Sequence, residues 1–283
     1  GVFADAWTDI AGAGALLDSI GVPPEADKFY VMNPFTATKL ASAQNGLNAS
    51  DGLVRTAWEN SQISANFGGL RALTSQSLNT FTSGTGADRA GTLSAAPNAT
   101  YLAAKDTMTQ SIAVTALQAN MPVKAGDMIK IADVNRLNIN SRTAMIDENG
   151  AAVHWTGVVT ADVTLDGSGA GTLVVAGPAI FEANGQYNTV DAAPASGAVV
   201  TILSASNATY QPNLFYMKQA FGIGTVKLPK LYSTDTIATT EDGMSIRVSK
   251  YSDGDANTQK VRFDCLPAYA TFNPFMAGHG FGV

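Results

Sequence analysis

Cys265 is the only cysteine in a chain of 283 residues, and it could act as a nucleophile only with a base beside it. The two histidines, His154 and His279, are the available bases. Cys265 sits in the run Val261-Arg262-Phe263-Asp264-Cys265-Leu266, whose alternation is that of a strand. A buried structural thiol is therefore the expectation. One cysteine also excludes an internal disulfide and suits a reducing compartment.

Asp253-Gly254-Asp255-Ala256-Asn257, with Asp264 beyond it, resembles the opening of a calcium loop. Thr258 stands where such a loop needs glycine, Asp264 where it needs glutamate, and a strand pattern follows in place of a helix. A solvated hairpin turn accounts better for these residues. Gly167, Gly169 and Gly171 have the look of a phosphate loop, but Thr172-Leu173-Val174-Val175 continues as strand and offers no helix N-terminus. The Gly84-Thr85-Gly86 cluster fails in the same way and lacks the lysine of a nucleotide loop.

His154-Trp155 lies in a β run beside Val153, and no second His or Cys stands at metal spacing. Asn48, Asn98 and Asn207 head Asn-x-Ser/Thr triplets, which matter only behind a secretory signal. The carboxylates are dispersed, so spacing defines no acid/base pair. No catalytic, cofactor-binding or metal-ligating residue is assigned, and an enzyme is not expected.

Composition points elsewhere. Hydrophobic residues make up 46% of the chain and charged residues only 14%, well under the usual quarter. So little charge suggests a surface covered in part by something other than water. The net charge of -6 opposes a nucleic-acid groove, which needs clustered Lys and Arg. No specific nucleic-acid motif is present. Every long apolar run is broken by polar residues before eighteen, so no membrane-crossing helix is expected. The chain opens at Gly1 in helical pattern without Met or a basic-then-apolar leader, and it reads as a fragment or processed product lacking an N-terminal portion.

Phe3, Trp7, Ile10, Leu17 and Ile20 predict a helix ending at Gly21, with Pro23-Pro24 enforcing the stop. Lys28 to Met32 is a short strand, Thr36 to Leu47 a helix, and Asp51 to Asn60 another with Asp51 as N-cap. Ile63 to Thr82 alternates loosely, with Gly68-Gly69 as a bulge or point of close approach. Gly84 to Asn98 reads as a long surface loop. From Ile112 to Ser204 short β-prone runs recur between polar turns, the pattern of an all-β barrel or sandwich. Asn213 to Phe221 reads as a short amphipathic segment and is followed by a buried strand ending at Leu228-Pro229. Met244 to Tyr251 and Lys260 to Cys265 form a long hairpin, with Ile246, Val248, Val261 and Phe263 among its alternating positions.

This order resembles the major capsid (coat) proteins of short-tailed bacteriophages, which have the Johnson fold with an inserted β-barrel. Gly1 to Ile20 resembles the end of the family's spine helix. Gly21-Val22-Pro23-Pro24-Glu25 and Phe29 to Pro34 resemble the turn and strand leading to the axial domain, and Ile63 to Leu70 the return to the sheet. Val123 to Ile131 opens the insert, and Asn213 to Phe221 resembles its exit helix. The resemblance implies an α+β fold in three parts. Residues 1–111 would hold the spine-helix end with peripheral and axial segments, 112–204 the barrel, and 205–283 the rest of the axial domain and the long-stranded peripheral domain.

It also implies a structural subunit of an icosahedral phage or prophage head enclosing DNA, assembled in the bacterial cytoplasm. The implied partners are copies of itself in hexamers and pentamers, with scaffolding and portal proteins, and no cofactor. Two other classes fit parts of the chain: a phage tail or decoration protein, and a carbohydrate-binding β module stacking sugars on Trp155 and Tyr187. A tail protein would show repeats and lack the helical opening; an exposed aromatic platform would favour a sugar-binding module, and burial of both aromatics would remove it.

Overall fold

The computed structural model describes residues 4–42 and 65–280. The expected helix Asp51 to Asn60, the end of the one starting near Thr36, and Asn48 lie outside the described residues. The chain divides into two compact units, residues 1–218 with 274–283, and residues 219–273.

The first unit opens with helix α1 (Trp7–Ile20), which buries Ile10, Ala13, Leu17 and Ile20 on one face. It stops as the sequence predicts: Gly21 takes φ 110, a conformation that costs glycine little. The amides of Gly21 and Val22 then bond back to the carbonyls of Asp18 and Leu17. Strand β1 (Lys28–Met32) and helix α2 (Pro34–Ser42) follow, then β2 (Asn66–Phe67) and β3 (Leu70–Thr74). Gly68 and Gly69, with φ 58 and 74, turn β2 into β3. The expected close approach is real: a Cβ on Gly14 of α1 would stand 2.2 Å from the Gly68 carbonyl oxygen.

Strand β4 (Phe81–Thr82) leads into a closed barrel. Its strands are β5 (Ala90–Leu93), β6 (Thr109–Thr115), β8 (Met128–Asn135), β9 (His154–Val159), β11 (Gly171–Ala176) and β12 (Val199–Ile202). A one-turn helix α3 (Tyr101–Ala104) precedes β6, and β7 (Pro122–Val123) pairs with β10 (Val163–Thr164). Inward-facing Leu93, Ile112, Val114, Ile129, Ile131, Trp155, Leu173, Val175 and Val200 fill the interior. Two expectations change here. Residues 90–93 are a barrel strand, not part of a loop over 84–98, so barrel residues begin well before 112. Among the short β-prone runs, Met128–Asn135 is one continuous strand, irregular where Asp133 takes φ 60, where separate short runs divided by turns were expected.

The chain leaves the barrel through β13 (Thr209–Tyr210), which pairs with β4; Phe81 and Tyr210 stack at 5.2 Å. Asp127, fully buried, accepts hydrogen bonds from Ser204 Oγ and the Lys124 amide and meets Arg89 at 3.5 Å, so it ties the ends of β5, β8 and β12. Strand β14 (Asn213–Met217) then joins the body. The expected exit helix is thus replaced by a strand and one 3-10 turn (Lys218–Ala220). Leu214, Met217 and Phe221 fit a helical period, but Asn213 and Phe215 alternate inward and pair β14 antiparallel to β1, so tertiary pairing prevails. With β20 (Ala277–Gly280) the sheet order is β2-β3-β1-β14-β20, β1 and β3 being parallel. Its core gathers Ile10, Leu17, Tyr30, Leu40, Leu70 and Phe215.

The second unit is all β. Strand β15 (Phe221–Thr225) pairs with β19 (Pro267–Thr271), and β16 (Thr234–Thr239), β17 (Ser245–Asp253) and β18 (Thr258–Asp264) form a three-stranded sheet. The long hairpin appears where expected. The stretch after Phe221, expected as a buried strand ending at Leu228-Pro229, is instead a largely exposed strand that ends at Thr225.

The contact between α1 and the Gly68 turn yields a paired test. Gly14→Ala forces its new methyl into the Gly68 carbonyl and should cost about 1–3 kcal/mol. Gly12→Ala meets nothing within 4 Å and should gain about 0.5–1 kcal/mol from helix propensity. Thermal melts of both variants should bracket the parent; equal melting temperatures would mean the two elements do not touch.

Candidate functional site

The residues that could do chemistry are scattered. Cys265 is free and exposed just past the end of β18, not buried as expected. The strand stops one residue earlier, so its thiol leaves the alternation that suggested a core position. His154 is exposed and bonds Asn135 Oδ1 through Nδ1 at 3.0 Å, while His279 lies on β20 opposite Leu214.

The Asp253–Asn257 segment is the hairpin turn between β17 and β18, closed by Asn257 at φ 49. Asp253 Oδ1 accepts the amides of Asp255 and Ala256, and its other oxygen faces Lys260 Nζ at 3.7 Å. Asp264 is spent elsewhere, on Arg247 and Arg262. Gly167 to Gly169 is a turn in which Asp166 accepts the amides of Ser168 and Ala170. Among the described residues, no group of three or more His, Cys, Asp or Glu is placed to hold a metal ion.

Of the two aromatics that a sugar-stacking platform would use, Trp155 is buried and Tyr187 half exposed. Trp155 is 1% exposed inside the barrel and donates Nε1–H to the Gly177 carbonyl, while Tyr187 stacks on Tyr101 at 4.2 Å. Asn98 turns its side chain on Thr100, as an Asx turn does.

What sequence reasoning missed is a surface. In the sheet β16-β17-β18, Ile246, Val248 and Lys250 share one face with Val261 and Phe263, because Val248 pairs with Phe263 and Lys250 with Val261. The opposite face of β17 carries Ser245, Arg247 and Ser249, and it is these that are buried. Arg247 explains the inversion: Nε and Nη2 bond Asp264 Oδ2 at 3.1 and 2.7 Å, and Nη1 donates to the Pro229 carbonyl at 2.8 Å. The segment around Pro229 thus seals the polar face.

The apolar face stays open. Val261 is 54% exposed and Phe263 71%, so the hairpin's alternation is as expected but its apolar side is not covered within this unit. Ile223, Leu266, Tyr269 and Phe272 of the same unit are also more than half exposed. Exposed apolar side chains gathered on one sheet face, on a chain poor in charge, are the mark of an interaction surface rather than a catalytic pocket. Alternation alone could not reveal which face is covered.

Two comparisons bear on what such a surface serves. Residues 1–282 match the family described as P22 coat protein - gene protein 5. The "Major capsid protein" of Acyrthosiphon pisum secondary endosymbiont phage 1 is 43% identical over 279 residues, covering 98% of this chain. The chain spans 65% of the length of that relative.

The Arg247–Asp264 contact sets a pH dependence. Hydrogen bonds from Arg247 first, then from Arg262, hold the Asp264 carboxyl below its ordinary range. A depressed carboxyl stabilises the fold above its unfolded value, about 3.9, and that contribution is lost as pH falls through the folded value. Amide exchange along β17 and β18 should therefore accelerate below about pH 4 beyond its intrinsic trend, and Asp264→Asn should flatten the excess. An excess that survives in Asp264→Asn would assign it to another group.

Proposed function

The chain belongs to the P22 coat protein family, and on that premise we propose that it is the greater part of a phage major capsid subunit. In this reading the protein builds an icosahedral head around packaged DNA, in the virion, after assembly in the bacterial cytoplasm. Its partners are further copies of itself in hexamers and pentamers, with scaffolding and portal proteins. The net charge of -6 suits an inner wall that does not hold DNA tightly.

The observation that carries the proposal is the apolar face of Ile246, Val248, Val261 and Phe263, on which Val261 and Phe263 are more than half exposed. A free-standing soluble protein has little reason to present it, whereas a shell subunit covers it in the assembly. The Johnson fold distributes roles accordingly. Helix α1 is the end of the spine helix, the sheets of residues 219–273 belong to the peripheral domain, and the barrel is an inserted domain on its two-stranded stem. The closed barrel has its own core and no free edge, as an insert should. A sugar-binding module loses its support with Trp155 buried.

Expression of the longer protein with its neighbouring phage genes, followed by electron microscopy, tests the reading. Closed icosahedral particles are expected. Phe263→Asp should abolish or deform them while the soluble subunit keeps its melting temperature within a few degrees, since an exposed site tolerates a polar substitution. Normal particles from Phe263→Asp would remove this face from assembly, and an absence of particles from the parent would remove the capsid reading.

A further inference from the structure

Two ties of different kind, among the described residues, join the barrel to the rest of its unit. One is covalent, the stem formed by β4 and β13, only two residues on each strand. The other is a set of hydrogen bonds to the end of helix α1. A helix leaves its last four carbonyls without partners inside the helix. Those of Leu17 and Asp18 are taken by the amides of Val22 and Gly21. The carbonyls of Ser19 and Ile20, and that of Gly21 beyond them, are taken by the barrel. Asn138 Nδ2 donates to Ser19 at 2.7 Å, the Ile139 amide to Ile20 at 2.9 Å, and Asn140 Nδ2 to Gly21 at 3.1 Å.

The loop holding these donors is built for the task. Asn138 Oδ1 accepts the amides of Asn140 and Ser141 at 2.8 and 2.9 Å, which fixes the turn and aims Nδ2 at the helix. Arg142 donates its own amide back to the Asn138 carbonyl. Gly21 is needed twice, for its φ and because a Cβ there would come within 3.0 Å of Asn140 Nδ2. Ile20 and Phe275 share with Leu137, Ile139 and Trp155 a cavity of about 20 Å³, room for one water.

We propose that Asn138-Ile139-Asn140 is a latch: it completes the C-terminal cap of α1 in trans and fixes the barrel's orientation on its stem. Its two side-chain bonds are exposed, and water can replace both of them. The latch is therefore releasable without unfolding either side, and its release frees the barrel to swing about β4 and β13. Asn138 and Asn140 are positioning residues, acting on α1 through its carbonyls.

Aspartate at both positions separates the latch from the loop. Asn138→Asp keeps the oxygen that accepts the Asn140 and Ser141 amides, but loses the donor to Ser19; Asn140→Asp loses the donor to Gly21. In the full chain carrying both, the Ile139 amide should exchange about tenfold faster or more. The amides of Val159 and Ile202, bonded within the barrel to Asp127 and Arg89, should keep their protection. Spin labels at Ala15→Cys and Ser168→Cys, in a Cys265→Ser background, should give a narrow distance distribution in the parent and a broad one in the double variant. An unchanged Ile139 rate, an equally narrow distribution in the variant, or parallel loss of protection at Val159 and Ile202 would each overturn the proposal.

Discussion

The apolar side chains of residues 219–273 have no interior of their own. Five strands make two small sheets, and the most deeply buried positions of the longest strand are Ser245, Arg247 and Ser249. A sheet is stable when its apolar face is covered, and here the covered face is the polar one, sealed by Arg247, Asp264 and the Pro229 carbonyl. Arg247 thus decides which side of the sheet remains for others. At roughly 25 cal/mol per Å² of apolar surface removed from water, covering Val261, Phe263 and their neighbours is worth several kcal/mol, of the order of a small domain's net stability.

The barrel solves the same problem within one chain. Closure pairs Val175 with Val159, leaves no open edge among its six strands, and turns Trp155 and the aliphatic side chains inward. The buried Asp127 and its partner Arg89, whose side chain is largely covered, sit where three strand ends meet. Breaking a buried pair by removing one partner is expensive, about 3–5 kcal/mol, so these residues pin the strand ends in register. One chain therefore combines a barrel that encloses its own core with a sheet whose apolar face its own unit leaves uncovered.

Local signals were legible and non-local ones were not. Helix α1, its stop at Gly21 and strand β1 follow from spacing and glycine chemistry within a few residues, as does the hairpin turn at Asp253. The barrel strands show through the alternation of runs such as Thr172–Val175. Strand Ala90–Leu93 was hidden because Gly, Ala and Ser surround it, and it exists by pairing with β6 and β12. Asn213–Met217 carries both periods, and only its partner β1 selects the strand. For the surface, Phe263 alternates as a core residue would; that it faces outward depends on Arg247 finding Asp264 across the hairpin, a pairing no local pattern announces. The two asparagines after β8 likewise carry no signal until α1 ends against them.

The central claim is that residues 219–273 are completed by neighbouring subunits. Site-resolved amide exchange at Val248 and Phe263, measured in the longer protein as soluble subunit and again in closed particles, tests it most directly. Protection at both should rise by at least about a hundredfold on assembly, while that of barrel amides such as Val159 stays level. Equal exchange at Val248 and Phe263 in the two states would contradict the account.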